Sequence, residues 1–122
     1  MISMLMTALL LQASLDTTAR PPRAAQFAFA RDLLDARLLD YPTARFRDVH
    51  GDERLICGFV NAKNRMGAFS GWSRFGVTLF SDEPRLLIDD PDERDDLLLD
   101  TFCGEDGTKL GGTDYSGRLT AD

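Results

Sequence analysis

The chain has 122 residues, 43% of them hydrophobic and 28% charged, with a formal charge of −6. That length supports one small domain around a single core. The acidic balance excludes a general nucleic-acid binder, which needs a basic face.

The first 19 residues, MISMLMTALLLQASLDTTA, are almost wholly apolar between Met4 and Leu11. The run is too short for a membrane span, which takes about 20 apolar residues. It fits the apolar region of a secretory signal peptide, with Ala13 or Ala19 as the end and Thr17 three places before the latter cut. Residues 1–3 carry no Lys or Arg, and no Cys follows the run as a lipoprotein would require. The competing reading is a buried N-terminal helix. The expectation is a signal peptide at 1–19, export to the periplasm, and a proline-containing leader at 20–23.

Residues 24–40 read as a helix: Phe27, Ala30, Leu34 and Leu38 recur at helical spacing, the stripe runs on to Tyr41, and Pro42 ends the helix. Four short strands are expected at 43–49, 54–61, 74–80 and 85–89. The second has apolar residues on both faces, Leu55, Cys57 and Phe59 against Ile56 and Val60, which marks a central strand. Short links between consecutive strands favour an antiparallel meander. DPDE at 90–93 reads as a helix start, with Asp90 as N-cap, Pro91 at the first position and Glu93 at the third. Leu97, Leu98 and Phe102 would then face the sheet, and Gly104 would close the helix. The glycine-rich stretch 105–122 reads as a flexible tail. The fold class is therefore α+β, over a single domain at 24–104: an N-terminal helix, a four-stranded antiparallel meander and a C-terminal helix packed on the sheet.

An even count of two cysteines in a small exported domain suggests a Cys57–Cys103 disulfide; without export they would be two buried thiols. Two Cys and the single His50 give no metal-ligand spacing. The acidic run at 89–96 lacks the glycine of a calcium loop and contains a proline. No cofactor motif is present. His50 is the one candidate catalytic base, but no G-x-S-x-G accompanies it.

Charge is unevenly placed. Arg54, Lys63, Arg65 and Arg74 are the only charged residues of 54–81, whereas 82–106 sets eleven acids against Arg85 and Arg94. The positive segment contains CGFVNAKNRMGAFSGW at 57–72, and its 61–72 part has two readings. One is a wide β-connection shaped by Gly67 and Gly71 and capped by Asn61 and Asn64. The other is a recognition surface, with Phe69 and Trp72 as anchors and Lys63, Arg65 and Arg74 supplying charge.

The same stretch resembles a family of short, uncharacterised exported bacterial proteins with a C-G-x-V-N-x-K-N-x-x-G strand–loop motif and a second Cys near the C-terminal helix. The family's D-P-x-S-A-x-F-R segment is matched here by DYPTARFR at 40–47, with one extra residue before the proline and Thr in place of Ser. The likeness spans roughly 39–103. It implies export and a disulfide, and it supplies no reaction. The functional expectation is a non-enzymatic binding module using Asn61, Lys63, Asn64, Arg65, Phe69, Trp72 and Arg74. Its partner would be a protein or an anionic cell-envelope ligand. An inhibitor of a secreted or cell-wall hydrolase, plugging an acidic site with Lys63 or Arg65, is one alternative. A minor hydrolase using His50 is another.

Overall fold

A computed structural model describes residues 20–90, 93–107 and 109–121. The expected signal peptide at 1–19 lies outside them. The chain forms α1 (Ala24–Arg37), a 3-10 turn (Tyr41–Thr43), β1 (Arg45–Gly51), β2 (Leu55–Lys63), β3 (Phe69–Thr78), β4 (Arg85–Asp90), a two-residue β5 (Glu93–Arg94), α2 (Asp96–Cys103) and a short α3 (Ser116–Leu119). The strands lie in sequence order and every neighbouring pair is antiparallel. No helix among the described residues is long and apolar enough to cross a membrane.

Both faces of the sheet are covered where the core is thickest. On one face Phe27, Ala30 and Leu34 of α1 form a cluster with Ile56, Val60, Phe75, Val77 and Ile88. On the other, Leu99 and Cys103 of α2 join Leu55, Cys57 and Leu87. Complete burial of each large side chain contributes roughly 2 kcal/mol. The disulfide joins Cys57 on the central strand to Cys103 at the end of α2, with a Cα–Cα distance of 5.7 Å. Gly76 makes room for it: a Cβ there would sit 3.1 Å from the Cys103 sulfur.

Three expectations change. First, DPDE does not start the helix. Asp89 and Asp90 end β4, and Glu93 and Arg94 pair back on them as β5. Proline after an acid suits a β-turn as well as a helix start. Asp95 precedes α2, and its carboxylate accepts the Ile88 N–H at 3.2 Å. Second, the late start and the disulfide set a different helical phase. Leu99 and Cys103, four apart, face the sheet and Phe102 packs beside them as expected, while Leu97 is 82% exposed and Leu98 is also exposed.

Third, the expected flexible tail is docked. Tyr115 N–H bonds the Val49 carbonyl at 2.7 Å, Leu119 is fully buried, and the Tyr41 hydroxyl donates to the Leu119 carbonyl. Burial pushes the Tyr41 phenol above its ordinary pKa, against the opposing pull of Arg31. The Phe27 and Tyr115 rings meet at a tilt, with centroids 5.3 Å apart. Two apolar anchors four residues apart hold this strap against β1 and α1.

Candidate functional site

Most of the region read as a loop is strand. β2 continues to Lys63 and β3 begins at Phe69, leaving residues 64–68 as the turn. Asn64 organises it: its side-chain oxygen accepts the N–H groups of Met66 (2.9 Å) and Ala68 (3.2 Å), and its own N–H bonds the Ala68 carbonyl at 2.8 Å. The register slips between Asn61 and Lys63. There the Asn61 side chain accepts the Gly71 N–H at 3.0 Å, and the Ser70 hydroxyl donates to the Ala62 carbonyl. Gly67 and Gly71 have φ of 80° and 97°, a region that glycine enters without steric cost. Asn61 and Asn64 are thus braces of a stiff hairpin, and Arg65 and Met66 project at its tip, Met66 being 91% exposed.

Directly opposed residues share a face of an antiparallel pair. Arg45 lies opposite Asn61, Arg47 opposite Phe59, and Asn61 opposite Trp72. All therefore point to the face that α2 covers lower down, beyond the end of that cover. The loop after α2 reaches only as far as Phe59, whose ring lies where a Cβ on Gly107 would be. Above it the side chains interleave. The Arg47 guanidinium sits 5.0 Å from the Phe59 ring and 4.7 Å from that of Trp72. Arg45 lies 4.2 Å from the Phe69 ring, and the Lys63 ammonium 5.6 Å from it. Each contact contributes about 0.5–1 kcal/mol at an exposed site and fixes where the charge is held. Trp72 is 40% exposed, and Arg45 and Arg47 face solvent. Asp48 sits 3.9 Å from Arg47 in a half-exposed pair that salt screens.

Of the expected site residues, Lys63, Phe69 and Trp72 meet on this surface, whereas Arg74 is set apart from it. The Arg74 side chain is only 8% exposed and lies under α2. It donates to Asp100 at 2.6 Å and to the carbonyls of Gly104 and Glu105 at 2.8 and 3.1 Å, with Asp89 at 3.9 Å. It is a buried clamp on the negative end of α2. Arg45, Arg47 and Phe59 were missed. The signal for the arginines was their two-residue spacing on a strand that neighbours the central one, which places both on one face.

His50 lines neither of the two main clefts. Its Nδ1 is 3.0 Å from the Thr113 carbonyl, while the Ser116 hydroxyl donates to Asp114 instead of to the histidine. A nucleophilic triad needs the serine on the imidazole; here the three residues pin the C-terminal strap to β1. The Ser116 hydroxyl bond, with the N–H groups of Ser116 and Val49, holds the Asp114 carboxyl below the usual range. Among the described residues no group of three His, Cys, Asp or Glu side chains is placed to hold a metal.

No protein-family model, no curated protein and no solved structure matches the chain.

Proposed function

We propose that this is an exported, non-enzymatic binding module that engages an acidic protein surface through the β2–β3 hairpin. The observation that carries the reading is the alternation of Arg47 with Phe59 and Trp72, and of Arg45 and Lys63 with Phe69, on a stretch of sheet face that α2 leaves uncovered. Trp and Arg are the residue types that most often dominate binding energy. Holding the guanidinium groups against rings lowers the ordering cost of about 0.5–1.5 kcal/mol per long side chain on association. The Cys57–Cys103 disulfide supports an oxidising compartment, and the resemblance to small exported bacterial proteins points the same way.

A second reading, inhibition of a secreted or cell-wall hydrolase, is favoured by the hairpin tip. Arg65 and Met66 protrude from a turn that Asn64 has already ordered, and among the described residues Arg65 has no carboxylate partner. One experiment separates the two. Pull-down from periplasmic extract with wild-type protein, Arg47→Ala, Trp72→Ala and Arg65→Ala is expected to recover an acidic protein that Arg47→Ala and Trp72→Ala lose and Arg65→Ala keeps. Loss with Arg65→Ala alone selects the inhibitor. Recovery of the same partners by all four proteins, or of an anionic envelope polymer in place of a protein, defeats the proposal.

A further inference from the structure

The opposite face of the same hairpin carries a different kind of surface. α1 stops at Arg37, and the chain leaves it extended at Leu38. β2 and β3 run on past that point, and over this stretch they present Ala62, Ser70 and Ser73. Small side chains with no helix of the described residues above them leave a cleft of about 720 Å³ between Leu38–Leu39 and the hairpin. That is within the range of roughly 300–1,000 Å³ for small-molecule sites. Val60 and Ile88 make its deep end apolar.

Lys63 and Arg65 stand on the rim, and among the described residues neither has a carboxylate partner. The Ser73 hydroxyl is half-buried in the floor and makes no hydrogen bond within the described residues. Two other charges border the cleft. Arg37 lies in the last turn of α1, where it offsets the negative end of that helix. Asp89 is turned toward the Arg74 guanidinium at 3.9 Å. The unmet charge at the mouth is therefore that of Lys63 and Arg65. Among the described residues no aromatic side chain lines the space to stack on a nucleobase or another flat ring.

We infer that this cleft binds a small aliphatic carboxylate, its acid group on Lys63 and Arg65 with the Ser73 hydroxyl within the floor, and its carbon body on Val60, Ala62 and Ile88. The cleft lies on the other face of the hairpin from Arg47 and Trp72 and shares only Lys63 with the cation–aromatic surface, where its ammonium lies 5.6 Å from the Phe69 ring. An acyl acid and an N-acylated amino acid share the chemistry, and the test tells them apart.

Full-length protein is titrated with octanoate, with N-acetyl-leucine and with octan-1-ol while backbone amide shifts are followed by NMR. The expected result is saturable movement of Leu39, Ala62 and Ser73 amides with one or both acids. The alcohol should bind at least about tenfold more weakly, since it cannot form the charge-assisted hydrogen bonds of the carboxylate. The acid that binds more tightly identifies the source. Ser73→Leu, which fills the floor, should weaken binding by about tenfold, and Lys63→Gln/Arg65→Gln by a similar factor. Arg47→Ala and Trp72→Ala should bind the acid as the wild type does. Equal binding of octanol, the absence of shifts at those three amides, or wild-type affinity in the Lys63→Gln/Arg65→Gln protein overturns the inference. That charge variant decides the matter if Ser73→Leu fails to fold.

Discussion

Arg47 on β1 and Arg74 on β3 flank Phe59 of β2 on the same sheet face, and their surroundings give them opposite roles. Arg74 is enclosed by α2 and satisfies the carbonyls of Gly104 and Glu105 and the Asp100 carboxylate. Arg47 lies in solvent between two rings. Removing a buried charge from its partners is costly because those partners remain desolvated. Arg74→Met should therefore lower unfolding stability by on the order of 3 kcal/mol in a urea titration, while Arg47→Ala should stay within about 1 kcal/mol of wild type. Local sequence could not separate the two arginines. Alternation along β3 places Arg74 on the face of Trp72, but where the helix cover ends depends on contacts made about 30 residues later. The bracing roles of Asn61 and Asn64 were legible, because a short amide beside glycine commonly bonds nearby backbone.

At the level of elements, the strands were legible because their apolar alternation survives any reasonable register. The buried face of α2 was not, since its phase is set by Cys103 through the disulfide and not by the acids that precede it. The C-terminal strap was hidden for a related reason: Tyr115 and Leu119 are two anchors in a glycine-rich setting, too few for a periodic pattern. The strap has its own pH dependence. The Asp114 carboxyl is held below its ordinary value of 3.8 by the Ser116 hydroxyl first and by the Ser116 and Val49 N–H groups after it, with His50 adding a smaller pull against partial desolvation. A carboxyl lowered in the folded state contributes stability that is fully present above its unfolded pKa and is lost as pH falls through its folded one. Protection of the Tyr115 and Leu119 amides, taken relative to their intrinsic exchange rates, should therefore fall below about pH 4, ahead of the sheet. Asp114→Asn should remove that pH dependence while leaving exchange in β2 and β3 unchanged.

For the whole molecule, the disulfide is the largest single constraint. It closes a separation of 46 residues, for which chain entropy predicts roughly 4 kcal/mol. Small domains commonly have only about 5–15 kcal/mol in total. The Cys57→Ala/Cys103→Ala protein should thus lose roughly 4 kcal/mol in the same urea titration, with α2 as the first element to loosen. The pairing was readable from cysteine count and expected compartment, yet its consequence for the fold required knowing that one sulfur lies on the central strand. One further property follows from where the two sulfurs fall in the chain. Cys57 precedes the β2–β3 hairpin and Cys103 follows it, so the projecting tip belongs to a closed covalent ring. A protease that cuts after Lys63 or Arg65 opens the ring but releases neither half. The fragments stay joined through the core, with Arg47, Phe59 and Trp72 still on paired strands. The exposed hairpin tip can therefore be severed once without the molecule coming apart, a tolerance suited to any space rich in proteases.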